Sequence, residues 1–394
     1  MIVMSSTGKR GRGYVIALSM LALSAFVSCI AERTASGVKL EKDQAANVKN
    51  AIIDNWYREV RAATDYIVTD RKIVHADLEM PISCVKFGQK PADGRSLYIS
   101  LHGGGNTTKE FNDGQWQNQC HLYAPEEGVY ICPRAPYDDW DMHFKPGLDE
   151  FYKDIILFAY SHLSVNPDKV YIMGYSAGGD GVWRLAPRMA DTWAAASMMA
   201  GHPGDVSLVN LRNTPFMVWC GALDSAYDRN IQCSARIAEL DSLQKADPEG
   251  YIHEGHIVEG KQHWMDQADT LAVSWMAQYR RNPYPARIVW RQEEVLHHSF
   301  YWISVPDNEM QRGKEVRVNV KGNVINIDKC DYSKLTFGLN DNIVNLDKPV
   351  KVRMNGRTIV KKKLVRSKET MERTLRERQD ARYAFDCELE VGIK

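Results

Sequence analysis

Gly174-Tyr175-Ser176-Ala177-Gly178-Gly179 follows the apolar run Val170-Tyr171-Ile172-Met173 and precedes a stretch with helical spacing at 181–189. A serine on a sharp strand-to-helix turn sits in a strained backbone with little room for neighbouring side chains. For that reason G-x-S-x-G needs glycine on both sides. Such a turn lifts the hydroxyl clear of a sheet and makes Ser176 the candidate nucleophile. It also requires a strand before it and a helix after it.

Outward from this turn, short apolar runs alternate with helical spacing, the signature of a mainly parallel sheet covered on both faces. Strands are expected at 97–101, 128–132, 170–173, 194–199, 216–220 and 251–258, and helices at 113–123, 148–163, 181–189, 231–246 and 267–280. Upstream, Val48, Ile52, Trp56 and Val60 fall on one face of a helix at 44–63. Strands at 72–80 and 82–87, with turn residues at 90–94, suggest an antiparallel opening hairpin. The whole of 72–282 reads as a doubly wound α/β domain whose ligands bind beyond the carboxyl ends of the strands. Asn282-Pro283-Tyr284-Pro285 breaks the rhythm. Beyond it, 286–394 reads as a smaller all-β, sandwich-like domain. Its strands are expected at 287–291, 299–305, 316–327, 334–339, 350–354, 359–365 and 383–391, with a polar insertion or helix at 367–379 and a hairpin turn at Asn355-Gly356.

The strand at 97–101 ends in His102-Gly103-Gly104-Gly105. Acyl transfer puts negative charge on a carbonyl oxygen, and exposed backbone N–H groups stabilise that charge. Gly103 or Gly104 would supply one donor and Ala177, the residue after the serine, the other. A phosphate loop is the rival reading, but its GK[ST] ending is absent.

HGGG, then GYSAGG, then an acid and a histidine in that chain order resembles the α/β-hydrolase superfamily. Within it, 72–280 is similar to secreted esterases related to polyhydroxybutyrate depolymerases and feruloyl or acetylxylan esterases. The resemblance implies an acid just after the strand at 216–220, where Gly221-Ala222-Leu223-Asp224 offers Asp224, with Asp228 its competitor. It implies a histidine after the next strand, where Glu259-Gly260-Lys261-Gln262-His263-Trp264 offers His263; His202 is the alternative base. An imidazole would take the serine proton, and a carboxylate would fix its tautomer. Tyr175 and Asp180 are expected to pack and to cap the following helix. The stretches 106–116 and 134–144 follow strand ends and reach the pocket mouth. His102, Trp140, His143, His202 and Trp264 are the candidate substrate contacts, while Trp116 and Trp140 equally suit a core edge. The chemistry calls for no cofactor and no metal. The resemblance implies cleavage of a small-molecule or polysaccharide ester through an acyl-enzyme. The alternatives are a serine peptidase with the same three residues and a non-catalytic glycan-binding surface protein.

With 394 residues the chain exceeds what one core usually fills, so two domains are expected. Lys plus Arg and Asp plus Glu each total 50, which gives a nucleic-acid partner no electrostatic basis. The basic run at 348–382 is interleaved with acids and reads as a solvated face. At the start, Lys9, Arg10 and Arg12 precede an apolar stretch at 14–27, shorter than the ~20 residues that span a bilayer. This reads as a signal peptide over 1–29, followed by a tether and helix over 30–71. Phe26-Val27-Ser28-Cys29 resembles a bacterial lipobox, so a lipidated Cys29 as membrane tether stands beside plain secretion. Either places the protein in the periplasm, on the outer membrane or outside the cell. Seven further cysteines are not spaced as a dense disulfide framework; Cys330 with Cys387 is the first pair to test. His253-Glu254-Gly255-His256 has the wrong spacing for a helical zinc site and reads as a strand.

Overall fold

The computed structural model describes residues 40–393, so the segment read as signal peptide and lipobox, Cys29 included, lies outside the described residues. Among the described residues no helix is long and apolar enough to cross a membrane. A reciprocal cap between Glu41 and Gln44 starts helix α1 (Lys42–Thr64), whose Trp56 and Val60 turn inward as their spacing requires. Helix α2 (Tyr66–Asp70) leads into strands β1 (Lys72–His75) and β2 (Leu78–Phe87), an antiparallel pair. Their turn lies at 76–77 and not at Pro81. Pro81 stays inside β2 because it pairs with Lys72, the first residue of β1, where a missing N–H disturbs the ladder least.

The alternation then runs β3 (Arg95–Leu101), α3 (Lys109–Cys120), β4 (Gly128–Pro133), α4 (Leu148–His162), β5 (Val165–Tyr175), α5 (Ala177–Arg188), β6 (Ala195–Met199), β7 (Phe216–Gly221), α6 (Arg229–Ala246), β8 (His253–Val258) and α7 (Leu271–Met276). The eight strands form one sheet in the order β1-β2-β4-β3-β5-β6-β7-β8, with only β1 and β2 antiparallel to their neighbours. This is the doubly wound, mainly parallel sheet of an α/β-hydrolase fold. Residues 170–175 of β5 are buried throughout, as a strand covered on both faces must be. Helix α3 begins four residues before the expected position because the Thr108 hydroxyl accepts the Phe111 N–H and caps it there. Helix α7 is shorter than expected: a 3-10 turn precedes it, and beyond it the Arg281 N–H bonds the Asp168 carbonyl.

The C-terminal part comprises β9 (Arg287–Arg291), β10 (Ser299–Phe300), β11 (Ile303–Ser304), β12 (Glu315–Lys321), β13 (Val324–Cys330), β14 (Lys334–Leu339), β15 (Val350–Met354), β16 (Arg357–Lys362), α8 (Lys368–Arg378) and β17 (Cys387–Gly392). Its strands make two sheets, β16-β15-β13-β12-β9 and β10-β11-β14-β17, with Trp290, Phe300, Trp302 and Phe337 in their shared core. The single strand expected at 316–327 is two, because Gly322 turns the chain at φ 57°. The expected Cys330–Cys387 pair is not formed. Cys330 ends β13 in one sheet and Cys387 opens β17 in the other, and both thiols are free.

The described residues 40–393 cluster within one compact unit. Arg281, fully buried, pairs with Asp380 at 2.6 Å and Asp168 at 3.3 Å, and Arg378 reaches Asp191 at 2.8 Å. Asp168 lies near the start of β5 and Asp191 just before β6. These anchors therefore sit at the strand ends remote from Ser176, which follows the last residue of β5.

Candidate active site

Ser176 turns the chain from β5 into α5 at φ 57° and ψ −120°. For a non-glycine residue such a conformation costs about 1–3 kcal/mol and persists only where its surroundings over-determine it. Here the Ser176 N–H donates to the Met199 carbonyl at 2.9 Å, and its carbonyl accepts the Asp180 N–H at 2.9 Å. The flanking glycines are demanded by contact. A Cβ on Gly178 would lie 2.1 Å from the Leu101 carbonyl oxygen, and one on Gly174 2.4 Å from that of Gly178.

His263 follows β8 and stands between the other two residues of the set. Its Nε2 is 2.9 Å from Ser176 Oγ and its Nδ1 2.7 Å from Asp224 Oδ2. Asp224 follows β7 and is buried, 2% exposed. A carboxylate only accepts, so the proton sits on Nδ1 and the Nε2 lone pair faces the hydroxyl. The arrangement can take the serine proton and hold the imidazolium that results. Asp228 is exposed before α6 and does not compete. His202 is not the base: its Nδ1 accepts the Gly204 N–H at 3.0 Å, and its own N–H donates to Asp180 Oδ1 at 2.6 Å. Asp180 thus ties down the His202 loop where a helix cap was expected.

Two residues around this set carry roles that motif spacing does not reveal. The Tyr175 hydroxyl donates to the His263 carbonyl at 2.6 Å and accepts the Met265 N–H at 3.3 Å, fastening the histidine loop to the residue before the serine. Arg229 Nη1 lies 3.5 Å from Asp224 Oδ1. An arginine five residues after the acid was visible in the chain, but nothing local tells it from a surface cation.

Gly103 lies against the serine, since a Cβ on it would stand 3.3 Å from Ser176 Cβ. Gly104 takes φ 113°, and a Cβ there would be 2.1 Å from Asn112 Oδ1. That same oxygen accepts the Gly105 N–H at 2.9 Å, so Asn112, buried at the start of α3, shapes the loop. Asn112 Nδ2 in turn donates to Asp138 Oδ1 at 2.8 Å. The N–H of Gly103 and of Gly104 meets no acceptor among the described residues. Ala177 is the first residue of α5, where an N–H has no intrahelical partner.

His102 and His143, read as substrate contacts, are instead part of the scaffold, both fully buried. His102 Nδ1 donates to the Gly103 carbonyl at 2.7 Å while Nε2 accepts the Ala135 N–H at 3.1 Å. His143 Nε2 donates to the His102 carbonyl at 2.8 Å. Burial pushes the basicity of both down, His143 to about 4 and His102 well below its ordinary value, where the neighbouring His143 ring lowers it further. Trp140 and Trp264 remain at the rim, 52% and 48% exposed. The first follows Asp139, whose carbonyl lies against Gly105, and the second packs tilted on Tyr175, ring centroids 5.7 Å apart. Trp116 donates Nε1 to the Cys132 carbonyl at 2.9 Å and covers a core edge. His253 to His256 lie in β8, a strand as expected.

No family model matches the chain. Over 194 residues it is 28% identical to NocK, a candidate esterase of Nocardia uniformis subsp. tsuyamanensis. The match covers 47% of this chain and 56% of NocK, so the chain spans just over half the length of that relative. Similar solved structures include a thermostable esterase (18% identity, TM-score 0.42, 55% of this chain and 64% of that one) and a ferulic acid esterase (16%, 0.35, 50% and 98%). Another is FphF, a fluorophosphonate-binding serine hydrolase of Staphylococcus aureus (14%, 0.35, 52% and 96%).

Proposed function

We propose that this protein of α/β-hydrolase fold is a serine esterase that works through an acyl-enzyme on Ser176. The observation that carries the reading is the continuous hydrogen-bonded line Ser176–His263–Asp224, at 2.9 and 2.7 Å. Ser176 Oγ attacks the ester carbonyl as its proton passes to His263 Nε2, and Asp224 holds the imidazolium. The developing oxyanion accepts from Ala177 and from Gly103 or Gly104. Collapse expels the alcohol, protonated by His263, and water then repeats the sequence to release the acid. No step needs a cofactor.

Similarity to NocK favours an ester over an amide, which the same residues could also cleave. The resemblance to feruloyl and acetylxylan esterases makes an acyl group carried on a carbohydrate the proposed substrate, and the half-exposed Trp140 and Trp264 suit a sugar or aryl face. The basic and apolar start of the chain fits export, with Cys29 lipidated as tether or the protein released. The test is labelling by a fluorophosphonate probe, then turnover of acetyl, feruloyl and short-chain acyl esters beside peptide anilides. Wild type labels and Ser176→Ala does not. Equal labelling of the two, or turnover of anilides without aryl acetates, refutes the assignment.

A further inference from the structure

Among the described residues seven cysteines are free, and four of them meet in pairs at the two flanks of the candidate site. Cys120 is the last residue of α3, and Cys132 lies in β4. One turn earlier in α3, Trp116 donates to the Cys132 carbonyl, and Cys132 Sγ points back at the Trp116 carbonyl at 3.9 Å. Cys120 lies one turn on from Trp116 on the same face of α3, so this lacing sets the Cys120 and Cys132 side chains beside one another, near enough for their thiols to interact. On the other flank Cys220 in β7 and Cys233 in α6 are both fully buried in one core, near enough for their thiols to interact. Helix α6 packs on β7, and Cys233 Sγ reaches the Gly201 carbonyl at 3.4 Å. Neither spacing, 12 residues or 13, announces a pair in the sequence.

We propose that Cys120–Cys132 and Cys220–Cys233 are disulfide sites, closed when the chain meets a disulfide oxidant. The Cys120 thiolate attacks the oxidant's S–S bond and expels one thiol. Cys132 then gives up its proton, attacks the Cys120 sulfur and expels the second. Two protein thiols lose two electrons and two protons, and the oxidant is reduced to two thiols. Cys120 suits the first step: interaction with the Cys132 thiol and with Ser83 holds it below the usual thiol range, whereas burial pushes Cys132 up. The second pair is buried on both sides and closes while the chain is still folding. It brackets Asp224 and Arg229. The first ties down α3, whose Asn112 shapes the glycine loop.

The full chain is folded in a glutathione and glutathione disulfide buffer, alkylated after denaturation, and read by intact mass and peptide mapping. Two bonds are expected, with Cys120, Cys132, Cys220 and Cys233 protected and Cys29, Cys84, Cys330 and Cys387 alkylated. Cys120→Ser and Cys220→Ser each lose one bond and keep the other, and reductant lowers the unfolding midpoint of wild type by several degrees. Alkylation of all four, or bonds to other partners, overturns the proposal. Mass reads the bonds whether or not Ser176 turns over an ester.

Discussion

Tyr175→Phe removes a single oxygen and tests whether the histidine loop is held from beneath. The lost hydroxyl bonds the His263 carbonyl at 2.6 Å and the Met265 N–H at 3.3 Å, in a side chain only 7% exposed. Each buried polar group left unpaired costs about 1–3 kcal/mol. The His263 end can rehydrate and the Met265 end cannot, so a loss of about 2 kcal/mol is expected from these penalties. An unfolding entropy of about 2.1 cal/mol/K per residue, taken over the chain, gives about 0.8 kcal/mol/K and a midpoint lowered by about 2–3 °C. The kinetic effect should be larger than the thermal one. His263 must meet Ser176 Oγ at 2.9 Å, and loosening its backbone spreads that distance, so kcat for an aryl acetate should fall about 10–100-fold. KM should hold, because the ring still packs on Trp264. Steady-state kinetics and thermal melts on the same preparation separate the two effects. A melt lowered as expected with kcat within about twofold of wild type would show that this clamp does not position the base, whatever it adds to stability.

Three other outcomes follow from the same geometry. Asp224→Asn turns an amide N–H toward His263 Nδ1, forces the proton onto Nε2 and should lower kcat about 10³–10⁴-fold at neutral pH; a loss under about tenfold contradicts the assigned role. His102 and His143 are neutral in the fold, while in the unfolded chain they take up protons below about pH 6.5. The unfolded state then binds more protons, so stability falls as pH drops from about 6.5 toward 4, and His143→Gln should flatten that slope in melts across the window. Arg281→Ala leaves the buried Asp380 without its cation, while Asp168 keeps Arg382, and should destabilise by about 3–5 kcal/mol in denaturant titrations; a change under about 1 kcal/mol means that the Arg281–Asp380 pair is solvated in practice.

The α/β half was legible because its signals are local. A continuous apolar run such as 170–173 can only be a covered strand, and glycines on both sides of Ser176 can only serve a crowded turn. Boundaries failed where one residue decided between neighbours. Pro81 read as a break but sits opposite a strand end, and Gly322 split what periodicity joined. That Ser176, Asp224 and His263 come together was readable because chain order and strand ends rank the candidates. The misreadings were histidines. His102 and His143 sit in the right stretches, yet whether an imidazole faces substrate or a backbone group depends on partners 33 and 41 residues away in sequence. Asn112 and Tyr175 were missed for the same reason: their partners, Gly105 and His263, are set by the closed fold. The thiol pairs lie beyond sequence reading altogether, because a helix packing on a strand creates them.

The backbone at Ser176 sets the direction in which this protein can decay. A glycine at that position would be at ease at φ 57°, where serine is strained, so the most stable sequence for this fold is an inert one. On the proposed function, turnover at Ser176 is what keeps a side chain there. In a lineage freed from that selection the first neutral step away from catalysis is also a stabilising one. A descendant carrying glycine at the elbow, with His263 and Asp224 still in place, would be a better-folded fossil of the enzyme.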